Sequence, residues 1–182
     1  MRNSRDNRWR LREAGPEDCA ALSLIGAATF LDAFAGVLDG AGLVEHCHNQ
    51  HSASAYRKIF AQGGRAWLAE AARGGAPIGY AVTVSPALAQ ARDGDVELKR
   101  IYVLSRYHGT GLASRMLDAV FGAHDTAQRL MLGVKDDNER AIAFYRKHGF
   151  ESVGTRQFDV GGVRYDDLVM ARPLKQALQA TS

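Results

Sequence analysis

The feature that most constrains this chain is the stretch RYHGTGLASRML, residues Arg106 to Leu117. An apolar, strand-like run ends just before it. A helical pattern begins inside it, with Leu112, Met116 and Val120 four apart and Leu117 and Phe121 beside them. Gly109 and Gly111 lie between the two patterns. Glycine at such a junction tolerates positive φ and lets another group approach the backbone with no Cβ in the way. The amides of Gly109, Thr110, Gly111, Leu112 and Ala113 would point outward at a helix N-terminus, an anion site suited to a pyrophosphate. Arg106 adds a fixed positive charge.

Two familiar phosphate loops fit poorly. A P-loop requires Lys and then Ser or Thr after its glycines, whereas Leu112 follows Gly111. The dinucleotide fingerprint places a third glycine where this chain has Ser114, although Asp136 follows at a tempting distance. The polar residues SRYH stand where that turn should be tight, and three strands precede the unit.

The rest of the chain reads as one α/β domain over residues 8–175, with residues 1–7 a loose tail. The expected order is β-α-α-β-β-β-α-β-α-β-β, a mixed sheet of about seven strands with helices on both faces. RWRLREA opens as a strand, and a helix follows from Pro16, with Glu17 and Asp18 in its first turn. On that helix Ala21, Leu24, Ala28, Leu31 and Ala35 share one face, and Phe30, Phe34 and Val37 a nearly opposite one. One face should meet the sheet and the other a helix, a partner or a substrate. DGAGLVEHCHNQHSASAYRKIF continues as one or two helical pieces, with Ser52 as an N-cap for the second. RGGA and the GG after Val160 mark hairpin turns. Asn138 should cap the last helix and Gly149 end it.

The strand DVELKRIYVL carries a phase slip. Val96 and Leu98 hold even positions, Lys99 and Arg100 interrupt, and Ile101 and Val103 take odd ones. A β-bulge has this effect, because one extra residue re-aims all that follow and splays the strand from a neighbour. A strand buried on both faces would show the same pattern without a bulge.

Arg106-x-x-Gly109-x-Gly111 resembles the R/Q-x-x-G-x-G/A signature of the GNAT acetyltransferase superfamily. DDNERAIAFYRKHGFESVG is similar to that family's second acetyl-CoA motif, through Asn138, Ala141, Phe144, Tyr145, Gly149 and Phe150. The resemblance implies the GNAT fold. It implies acetyl-CoA as cosubstrate, no metal, and an amine acceptor that attacks directly through a tetrahedral intermediate. Backbone groups of Ile101, Tyr102 and Val103 would hold the pantetheine. The loop from Arg106 through His108 to Ala113 would hold the pyrophosphate, and Asn138 would contact the cofactor. Tyr145 would stand near the sulfur as a proton donor to the leaving thiolate. Glu97, on the strand resembling the family's fourth, would be the general base. ATFLDAFAGVLDG somewhat resembles the polyamine acetyltransferases, with Phe30 and Phe34 as apolar walls and Asp32 as one acid for a small amine. A protein N-terminus or lysine is the alternative acceptor. A non-catalytic acyl-CoA sensor is the alternative function. A homodimer is expected by family analogy.

Other features exclude more than they assign. The net charge of +3 comes with no block of Lys and Arg, which argues against nucleic acid. Cys19 and Cys47 are too few for a disulfide framework, and no apolar run is long enough to cross a bilayer. With no apolar signal segment at the start, a cytoplasmic protein is expected. His46, His48 and His51 in EHCHNQH suggest zinc on the sharp reading and a polar helix surface near the substrate mouth on the bland one. Asp166 and Asp167 would either attract a cation or sit on an exposed edge.

Overall fold

The computed structural model describes residues 8–160 and 162–174. The loose tail expected over residues 1–7 and the end of the domain at residue 175 lie outside them. Seven strands form one sheet in the order β1-β2-β3-β4-β5-β7-β6. They are β1 (Trp9–Ala14), β2 (Arg65–Ala71), β3 (Pro77–Val84), β4 (Val96–Val103), β5 (Arg129–Lys135), β6 (Glu151–Val160) and β7 (Val163–Pro173). Five α-helices accompany them: α1 (Cys19–Phe34), α2 (Gly40–Gln50), α3 (Ala53–Ala61), α4 (Leu112–Ala123) and α5 (Glu139–Lys147). Adjacent strands pair antiparallel except β4 and β5, which run parallel.

Three helices precede β2, one more than the expected order. The chain turns at Ala35 and Gly36, whose φ of 81° ends α1, and Asp39 then caps α2 by accepting from the Gly42 amide at 2.8 Å. Ser52 caps α3 through the Ala55 amide at 3.2 Å.

Apolar alternation sorts the strands between two layers. Ala66, Leu68, Tyr80 and Val82 face α1 and α3, packing with Leu22, Ile25, Tyr56 and Ile59. Trp67, Ala81, Leu98, Leu130 and Leu132 face the other way, onto Leu117 and Val120 of α4 and Ile142 and Tyr145 of α5. The face of α1 that meets the sheet is therefore the Leu22, Ile25 and Thr29 stripe, not the Leu24 and Leu31 face, which stands 64% and 52% exposed. Alanines widened the apparent apolar arc on both sides, and the larger side chains set its true centre.

The phase slip in β4 is a bulge. Arg100 pairs with Val82 but Leu98 pairs with Thr83, so Lys99 is the extra residue. Val96, Leu98, Ile101 and Val103 thereby all pack on the α4 side, while Tyr102 packs on the α1 side. Beyond the first two residues β4 also leaves β5: only Val96↔Leu130 and Glu97↔Met131 are paired. The two strands diverge from there and open a cleft.

Candidate active site

The cleft has a volume of about 780 Å³. Leu98 to Val103 line one side, Gly133 to Lys135 the other, α1 and α2 close one end, and α5 and β6 contribute the remainder. It brings together Glu97, Ile101, Tyr102, Val103, His108, Ala113, Asn138, Tyr145, Phe30, Asp32 and Phe34. Arg106, Gly109, Thr110, Gly111 and Leu112 lie outside its lining, in the turn at the mouth.

That turn is built to receive an anion. Gly111 is the N-cap of α4 with φ of 85°, and Gly109 has φ of 74°. A Cβ at either position would meet nothing within 4 Å, so the space in front of the backbone is open. Among the described residues the amides of Gly109, Gly111, Leu112 and Ala113 have no acceptor, as the first turn of a helix requires. Thr110 departs from the expectation: its amide and hydroxyl both turn back to the Tyr107 carbonyl, at 3.4 and 2.7 Å. His108 donates from Nε2 to the Val103 carbonyl at 3.0 Å, tying the turn to the end of β4.

Tyr145 projects from α5 into the cleft, with its ring against Phe144 and Phe150. Burial, with a smaller contribution from Tyr102, raises its pKa above the ordinary tyrosine value, so it stays a protonated donor at neutral pH. Tyr102 is likewise pushed up to about 12 by burial. Glu97 is buried just before the bulge, where its Oε2 accepts from the Ala87 amide at 2.9 Å and its Oε1 stands 4.0 Å from Arg156 Nη1. Asn138 caps α5 by accepting from the Ala141 amide at 3.1 Å, which leaves its side-chain NH₂ free to face a ligand. Asp32 is committed to the fold: its oxygens accept from the Ser105 amide at 2.9 Å and the Ser105 hydroxyl at 3.2 Å, joining α1 to the β4–α4 turn.

Two of the three clustered histidines belong to the cleft. His46 and His51 turn inward from α2 and its end, while His48 is exposed. His46 stacks on Phe30 at 4.3 Å between centroids, and His51 Nδ1 lies 3.0 Å from the Tyr56 hydroxyl. Burial first, then Arg100, pulls their pKa values down to about 4 and about 3, so both are neutral at pH 7. Among the described residues no three His, Cys, Asp or Glu side chains converge as a metal site. Arg100, Arg156 and Phe158 also line the cleft. The phase slip was the one sequence signal that pointed toward Arg100. Asp167, buried, pairs with Arg156 at 3.1 Å and is not an edge charge.

The edge of β4 that β5 leaves without a strand partner beside Ile101 to Val103, the free amides at the head of α4 and the open space over two glycines fit a long ligand with a pyrophosphate at one end. The sequence model of the acetyltransferase (GNAT) family matches residues 39–150. N-acetyltransferases described as uncharacterized from Mycobacterium bovis and Mycobacterium tuberculosis are 41% identical over 99 residues, which is 53% of this chain and 60% of theirs. Among solved structures, the PaiA N-acetyltransferase of Thermoplasma acidophilum in complex with coenzyme A superposes with a TM-score of 0.70 at 17% identity, covering 91% of this chain and 98% of that one. The ribosomal-protein-alanine N-acetyltransferase of Brucella melitensis does so with a TM-score of 0.66 at 24% identity, covering 90% and 99%. These likenesses establish the fold. No described helix is long and apolar enough to cross a membrane.

Proposed function

The chain belongs to the GNAT acetyltransferase family, and from that membership and the cleft between β4 and β5 we propose that it transfers an acetyl group from acetyl-CoA to the primary amine of a small molecule. The observation that carries this reading is the divergence of β4 from β5 after two residue pairs, on a strand whose far end leads into the open glycine turn. Acetyl-CoA, when bound, supplies the thioester carbonyl that the amine attacks. The chain's residues then have separable tasks. The amides of Gly109, Gly111, Leu112 and Ala113 bind the pyrophosphate, with Arg106 adding charge. The edge of β4 at Ile101, Tyr102 and Val103, which has β3 on one side and no strand on the other, aligns the pantetheine as an added strand would. Tyr145 Oη holds a proton for the departing sulfur, and Glu97, directly or through water, takes one from the acceptor ammonium. Phe30 and Phe34 with His46 form an apolar wall for the acceptor's carbon skeleton.

The test is release of free thiol from acetyl-CoA with a panel of polyamines, amino acids, aminoglycosides and peptides. Turnover with a small amine is expected. Tight acetyl-CoA binding with no turnover across the panel would instead identify a sensor, and turnover of peptides alone would identify a protein acetyltransferase.

A further inference from the structure

Resting on the reading of the cleft as an acetyl-transfer site, we infer that the acceptor is an amino-acid-like molecule, whose carboxylate lies against Arg100, Lys99 and His51 while its amine faces Glu97.

The bulge at Lys99 leaves Arg100 on the α1 side of the sheet, in the acceptor half of the cleft. Arg100 is only 8% exposed, and its guanidinium lies 5.4 Å over the Tyr56 ring. Among the described residues no carboxylate stands within 4.0 Å of it, and its Nη1 has no hydrogen-bond partner. A buried guanidinium without an anion is costly, and a ligand carboxylate would remove that cost. His51, 2% exposed, has the same character: Nδ1 meets the Tyr56 hydroxyl and Nε2 has no partner. A neutral imidazole that accepts the Tyr56 proton at Nδ1 presents Nε2–H as a donor. Gly26 of α1 is pressed on this pair, because a Cβ there would collide with the Tyr56 hydroxyl and His51 Nδ1. The donors are therefore fixed in place before any ligand arrives.

Three acids of the cleft are engaged by the protein: Asp32 with Ser105, Asp159 with the Gly162 amide and Asp167 with Arg156. Glu97 spends Oε2 on the Ala87 amide and keeps Oε1, 4.0 Å from Arg156 Nη1, to face the amine. Lys99 is exposed and, among the described residues, has no acidic partner within 4.0 Å. Among the described residues Lys99 and Arg100 thus bring positive charge without an acidic partner close to Glu97. A polyamine, the acceptor suggested by the sequence around Asp32, would bring like charge to these two cations. An amine that also carries a carboxylate would meet charge-assisted donors.

The experiment is calorimetric titration of the CoA-saturated protein with matched pairs, each an amino acid and the amine left by its decarboxylation, with spermidine as a third ligand. At least one amino acid should bind about 10-fold or more tighter than its partner amine. Arg100→Gln should erase that ratio without changing the affinity for acetyl-CoA, and Lys99→Gln, at a surface position that folding tolerates, should reduce it. If Arg100→Gln fails to fold, Lys99→Gln carries the test. Equal or tighter binding of the decarboxylated amines or spermidine overturns the inference, as does binding of no amino acid in the panel or an unchanged ratio in the variants. Failure of acetyl-CoA itself to bind would sink the proposed activity instead, and the two results are read in separate titrations.

Discussion

Tyr145 packs in the core and, on the proposed reading, also serves the chemistry. Its ring closes the core between α5 and the sheet, and its hydroxyl end reaches the cleft. Tyr145→Phe retains the ring and removes only the hydroxyl. We expect kcat to fall about 100-fold, within the usual range for one acid–base group, while the Kd of acetyl-CoA stays within a factor of two or so. Equal losses in both, measured by steady-state kinetics and direct titration, would make Tyr145 a binding residue rather than an acid. Asp32 illustrates the opposite case. A carboxylate on an apolar helix end suggests a bound amine, but its partner is Ser105, a residue 73 positions away that no local pattern connects to it.

At the scale of elements, the bulge in β4 does the most to make a site. Deleting Lys99 would restore regular pairing with β3 while leaving every apolar residue of β4 on its present face. The deletion should keep the circular-dichroism spectrum and weaken acetyl-CoA binding by at least about 10-fold, because β4 would regain β5 as a partner. Unchanged affinity would show that the divergence is imposed elsewhere. The phase slip was legible because apolar parity reports which face a side chain takes, but a strand buried on both faces would show it too, and it is the register with Val82 and Thr83 that makes it a bulge. The glycine turn, the cap at Asn138 and the hairpins were legible for a similar reason: each rests on local backbone chemistry. The acceptor wall was legible only as a cluster of histidines. His46, His51, Arg100 and Arg156 come from three separate segments, and tertiary packing decides their orientation, His51 against Gly26 and Tyr56 and Arg156 against Gly133. The Leu24 and Leu31 face of α1 misled for the converse reason, since periodicity reports an apolar arc without saying which part of it is covered.

The whole molecule should carry a pH signature from its two inward histidines. His46 and His51 have folded pKa values of about 4 and about 3, below the ordinary histidine value near 6.5. The unfolded chain therefore binds more protons between these limits. Their contribution to stability is fully present above about pH 6.5 and is lost as pH falls toward their folded values. The unfolding midpoint should decline from pH 7 to pH 4.5, and His51→Gln should make that decline shallower. An unaltered slope would mean that other groups control acid sensitivity. A different consequence follows from the two rungs that join β4 to β5. The backbone ladder divides there into a four-strand leaf, β1 to β4, and a three-strand leaf, β5 to β7, with a short spine between them. Beyond that spine the rungs are missing, and the proposed cosubstrate, lying in the gap, would supply them as a splint between the two leaves. On the proposed reading, loading and stiffening would be a single event.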